Sequence, residues 1–139
     1  MSAIGKREHG FTLIEMLVTL AVAGLIAGIA FPAIDRMIAR QDFAATAATL
    51  GLALRSARAE AIGDGETVYF ALSADGRSYG GRDAEAQQLP DAMTLALPPG
   101  GIAFFEDGTS TGGVLLLTGQ GASLRLEVNG ATGMIGRAS

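Results

Sequence analysis

Gly10-Phe11-Thr12-Leu13-Ile14-Glu15 opens an apolar run that carries no further formal charge until Asp35. Between them, Met16 to Ile34 form nineteen uncharged residues. At about 1.5 Å of rise per residue, a helix of that length spans roughly 30 Å, the thickness of bilayer hydrocarbon. The segment therefore reads as a membrane-crossing helix. Glu15 stands at its apolar edge, flanked by Leu13, Ile14, Met16 and Leu17. There an ionised carboxylate costs on the order of 2.5 to 3.5 kcal/mol or more unless it is neutralised or paired. A glutamate side chain is short, so a nearby positive partner is a better physical solution than snorkelling to the lipid surface.

Two plainer readings compete for the same segment. A secretory signal has a basic start, an apolar core and a small-x-small cut site, which Gly28-Ile29-Ala30 imitates, but an acid inside the core argues against it. A simple transmembrane anchor shares the membrane expectation and omits any role in assembly. Charge does not orient the span, because Lys6 and Arg7 precede it while Arg36 and Arg40 follow it.

After Pro32 the helical spacing resumes. Phe43, Ala47, Leu50, Leu54, Ala57 and Ala61 fall at alternating steps of four and three, which places them on one helix face. Arg40, Asp42, Arg55, Arg58 and Glu60 lie off that stripe, and Gly63-Asp64-Gly65 supplies a stop. Pro32 removes one backbone hydrogen bond and is expected to kink the helix without ending it. The expectation is one helix of about fifty residues whose second half packs on a sheet.

Beyond Gly65 the period changes from helix to strand. Val68, Phe70 and Leu72 alternate with Thr67, Tyr69 and Ala71, and further strands are expected at Met93 to Leu97, Ile102 to Phe105, Val114 to Thr118, Ser123 to Val128 and Met134 to Ile135. Asp75-Gly76, Pro98-Pro99-Gly100-Gly101, Asp107-Gly108, Gly119-Gln120-Gly121 and Asn129-Gly130 mark turns, and their close spacing favours antiparallel pairing. Gly80 to Pro90, polar and rich in charge, reads as a mobile loop without a packed core. No internal repeat is evident. The fold class expected is α+β, a long N-terminal helix on an antiparallel β-sheet domain.

The leading residues carry a family resemblance. Lys6 and Arg7, then Gly10-Phe11-Thr12-Leu13-Ile14-Glu15 and the apolar run, resemble the class III signal of type IV pilins and type II secretion pseudopilins. The resemblance implies a leader at 1–10 that a prepilin peptidase removes after Gly10, and N-methylation of the new terminus at Phe11. It also implies a transmembrane and filament-core helix at 11–34 and a periplasmic pilin-like domain at 35–139. Glu15 is then the residue that pairs with a neighbouring subunit's terminal amine during assembly, and Pro32 resembles the proline within the family's long helix. Gly24 and Gly28 form a small-xxx-small pair that lets helices approach closely.

Further along, Leu54-Arg55-Ser56-Ala57-Arg58-Ala59-Glu60-Ala61-Ile62, the stretch Ile102 to Gly113, Leu124-Arg125-Leu126-Glu127-Val128 and Thr132-Gly133 are similar to the GspH/FimT family. The function this implies is that of a minor pseudopilin in a type II secretion system, at or near the tip of a periplasmic pseudopilus, anchored once in the bacterial inner membrane. Its implied partners are other minor and major pseudopilins, the prepilin peptidase and the inner-membrane assembly platform. The alternative is a FimT-like minor pilin of a type IV pilus that binds DNA during uptake, for which the tail offers Arg137, with Arg125 nearby.

Composition limits other functions. The 139 residues carry a net charge of −4, and from Phe11 onward eight arginines and no lysine face thirteen acids. A broad basic face for nucleic acid is thus not expected. There is no cysteine, so the domain holds by packing alone. The one histidine, His9, and the one lysine, Lys6, both lie in the leader, which removes histidine-assisted nucleophiles, histidine-ligated zinc and a P-loop lysine from the mature chain. Asp83 and Glu85 read as a solvated acid pair, and Glu106-Asp107-Gly108 as a turn. No run of carboxylates at alternating positions suggests calcium. Neither enzyme activity, metal nor other cofactor is expected.

Overall fold

The computed structural model describes residues 11–81 and 86–138. Gly10, and with it His9, Lys6 and Arg7, lies outside the described residues, as do Asp83 and Glu85. The chain divides into two compact units, one ending at Ile38 and the other beginning at Ala39.

Helix α1 runs Leu13–Asp64 and continues through Pro32. Its final 26 residues, from Ala39, belong to the second unit. In that portion Leu50, Gly51, Leu54, Ala57 and Ala61 are buried, with Phe43 and Ala47 packed partly against the core. This is the stripe expected from the spacing, completed by Gly51. The helix gives way at Gly65, whose φ of 67° a β-carbon disfavours.

Eight strands follow: β1 Val68–Leu72, β2 Ser78–Gly80, β3 Gln87–Gln88, β4 Met93–Ala96, β5 Ile102–Phe104, β6 Gly113–Gly119, β7 Ala122–Val128 and β8 Ile135–Arg137. They make two antiparallel four-stranded sheets, ordered β3-β2-β1-β5 and β4-β6-β7-β8. The α+β class and antiparallel pairing agree with expectation. The reading of Gly80 to Pro90 as an unpacked loop needs correction at both ends. Gly80 closes β2, Gln87–Gln88 pair with Ser78 and Tyr79, and Leu89 is buried. These strands are three and two residues long, and their apolar contribution comes from Tyr79 and the adjoining Leu89, so no alternation announces them. The last strand also begins one residue later than expected and extends to Arg137.

One apolar core joins the helix of this unit to both sheets. Leu50, Leu54 and Ala57 meet Val68 and Phe70 of the first sheet and Leu115, Leu117, Leu126 and Val128 of the second. Each large side chain removed from water in this way contributes about 1.5 to 3 kcal/mol. In β1 and β7 alternate residues point into this core, which is why the period-two pattern was visible.

Candidate functional site

The amino-terminal site begins at the first helical turn. Thr12 precedes the helix, and its Oγ1 accepts from the Glu15 N–H at 3.3 Å, while its carbonyl accepts from the Met16 N–H at 3.1 Å. Thr12 is therefore the N-cap, and Glu15 occupies the third helical position, the threonine-x-x-glutamate arrangement of a capping box. That signature is legible in the sequence, and reading the segment for hydropathy alone passes over it. The Glu15 carbonyl is satisfied in turn by the Thr19 hydroxyl at 2.7 Å.

Cap and dipole favour an acid at this end of a helix. The Glu15 carboxylate nevertheless has no ion-pair partner among the described residues. Phe11 stands next to the cap and is 71% exposed. Along the same segment, the most apolar eighteen residues have a mean hydropathy of 2.3, and none of them is buried. This makes α1 one helix long and apolar enough to cross a membrane. Gly24 and Gly28 lie within it, and a β-carbon added at either meets nothing within 4 Å. Nothing among the described residues thus requires their small size.

In the second unit the motif residues converge on Arg58. Although it lies off the apolar stripe, Arg58 is partly buried. Its Nε donates to the Gly108 carbonyl at 3.0 Å and its Nη2 to the Thr132 carbonyl at 3.0 Å. One guanidinium thereby ties the helix to the β5–β6 turn and to the β7–β8 turn. The turns meet so closely that a β-carbon at Gly133 would stand 2.2 Å from the Gly108 oxygen and 2.7 Å from Arg58 Nε. Only glycine fits there, and its φ of 62° suits glycine as well.

The β5–β6 turn is itself held locally. Asp107 accepts from the Thr109 N–H at 2.9 Å and from the Thr109 hydroxyl at 2.6 Å, bonds that hold its carboxyl below the usual carboxylate range. Ser110, a buried polar residue, donates its hydroxyl to the Asn129 carbonyl and accepts from the Gly112 N–H. Glu106-Asp107-Gly108 is thus a structural turn, as expected. No group of three or more potential metal ligands occurs among the described residues.

The tail arginines do not form one patch. Strand β8 places Arg137 opposite Leu126 of β7, so those two side chains share a sheet face, and Arg125, one residue earlier on β7, points to the other.

Comparison with known proteins follows this division. Residues 5–31 match the prokaryotic N-terminal methylation motif. Residues 46–132, more than half of the chain, match the type II transport protein GspH model. The chain belongs to the GspH family of type II transport proteins. The GspH match contains Arg58, Gly108, Ser110 and Thr132, so the family region is the part in which helix and turns are bonded together. The type II secretion system protein H of Xanthomonas campestris pv. campestris is 27% identical over 142 residues, covering 95% of this chain and 84% of that protein. The minor pseudopilin EpsH from the type 2 secretion system of Vibrio cholerae superposes with a TM-score of 0.53 at 15% identity, covering 68% of this chain and 94% of that one. The EpsH likeness is one of fold, a long helix on antiparallel sheets. The chain is accordingly a GspH-type pseudopilin with a pilin-like fold.

Proposed function

We propose that this chain is a minor pseudopilin that works as a non-catalytic structural subunit of a type II secretion system, at or near the tip of a short periplasmic filament. The prepilin peptidase cuts after Gly10, and Phe11 becomes the N-methylated terminus. Residues 11–34 anchor the chain once in the inner membrane and then pass into the filament core, while residues 35–139 form the periplasmic domain. The partners are other minor and major pseudopilins and the inner-membrane assembly platform.

The observation that carries this reading is the Glu15 carboxylate, in the first turn of an exposed apolar helix and without a cation among the described residues. An unpaired acid at a bilayer edge is costly, and a neighbour's new amine at Phe11 would relieve that cost. Gly24 and Gly28, whose side of the helix is open, allow a neighbouring helix to approach. Pro32 lies inside the continuous helix, and in this reading it corresponds to the proline of the family's long helix.

The test is Glu15→Ala in the cell that makes the protein. The variant is expected to insert and to be cut after Gly10, yet to be lost from sheared or cross-linked filaments. Normal incorporation and normal secretion would refute the pairing role.

A further inference from the structure

We propose that the free edge of β8, with the trough beside it on α1, accepts an extended, carboxylate-bearing segment of a partner subunit as an added strand. This goes beyond the filament reading and rests on it only for the presence of a partner. Sheet order β4-β6-β7-β8 leaves β8 paired on one side. The Ala138 N–H donates to the Arg125 carbonyl and the Asn129 N–H to the Met134 carbonyl, which fixes the phase of the ladder. By the alternation of antiparallel pairing, the N–H and C=O of Ile135 and Arg137 then point off the sheet edge, where a further strand would bond them.

Alongside lies an open groove of about 430 Å³. Its helix wall is the small-residue row Ala44, Ala47, Ala48 and Gly51, and its sheet wall includes Leu124 and Ile135. Small side chains leave room for an extended chain and offer it apolar contact.

Charge selects the occupant. Arg55 and Arg137 both line this groove, and a β-carbon at Gly51 would stand 3.3 Å from Arg55 Nη1, which places that guanidinium beside Gly51 at the end of the row of small residues. Neither guanidinium has a hydrogen-bond or ion-pair partner among the described residues, in a chain whose net charge is negative. Two free forks at one apolar trough suit a carboxylate, which a guanidinium binds bidentately. A duplex backbone is less well matched, because Arg125 faces the opposite side of the sheet.

Full-length protein in detergent micelles is titrated with labelled nine-residue peptides of alternating Val and Thr that carry Glu, Gln or Lys at the centre. The Glu peptide is expected to bind about tenfold tighter than the Gln peptide, with the Lys peptide weakest, as for a hydrogen-bonded charge pair. Arg55→Ala and Arg137→Ala should each erase that preference, while Arg125→Ala keeps it. Amide exchange at Ile135 and Arg137 should slow when the Glu peptide binds. Absent binding, equal affinity for the three peptides, unprotected β8 amides, or displacement of the Glu peptide by a short DNA duplex would each overturn the proposal, the last by making this a nucleic-acid site. Terminal processing and filament incorporation are scored separately, so failure of the filament reading leaves the peptide result interpretable.

Discussion

Arg58 shows what a single residue does for this fold and how little of it a linear reading reveals. Its two acceptors lie 50 and 74 positions away in sequence, so neither contact is visible in helix periodicity, which places it merely off the stripe. Replacing Arg58 by Ala leaves the carbonyl of the buried Gly108 without its partner and should cost about 2 kcal/mol, read as a lower urea midpoint of the second unit. Arg58→Lys should recover only part of the loss, because one ammonium does not reproduce a fork aimed at two carbonyls. Full recovery by lysine would mean that charge, not bridging geometry, is what matters. Thr12 teaches the converse: its cap on Glu15 was legible as threonine-x-x-glutamate, a local pattern that needs no tertiary knowledge.

Among the elements, those with sustained periodicity were the legible ones. The lower half of α1 and strands β1, β6 and β7 bury one face each, so spacing betrays them. Strands β2 and β3 are too short for that, and the pairing of Gln87–Gln88 depends on backbone bonds to a neighbour rather than on apolar side chains. Turns carry their own chemistry. In the β6–β7 hairpin, Gln120 and Gly121 have φ of 54° and 72°, the type I′ pattern that favours Asn-Gly. Gln120→Asn should therefore stabilise the second unit by about 0.5 kcal/mol, read as a higher urea midpoint, and a lowered midpoint would contradict the assigned turn. The β5–β6 turn should respond to acid. The Thr109 bonds lower the Asp107 pKa from its ordinary value of 3.8, so the folded state holds that proton less well than the unfolded chain. Their contribution is present above 3.8 and is lost as the pH falls through the lowered value. The Thr109 amide resonance should titrate below 3.8, and a midpoint at or above that value would remove the assigned cause.

For the molecule as a whole, two chemistries follow one another along the chain. The unit ending at Ile38 is an exposed apolar helix with one acid in its first turn. The unit from Ala39 buries its apolar stripe against two sheets and, without cysteine, depends on packing and on the hydrogen bonds of Arg58 and Ser110. The first unit was readable because hydropathy and charge are properties of the linear sequence. The groove between α1 and β8 was not, since its walls are at least 68 residues apart in sequence, Arg55 and Ser123 being the nearest pair. In the function proposed above, what joins these parts into a filament subunit is the conversion of Phe11 into a terminal amine. The most direct measurement is the intact N-terminal mass of the protein purified from its own membrane, with and without the prepilin peptidase. A chain beginning at N-methylated Phe11 only when the peptidase is present is the expected result, and a chain that still begins at Met1 with the peptidase present would contradict the account.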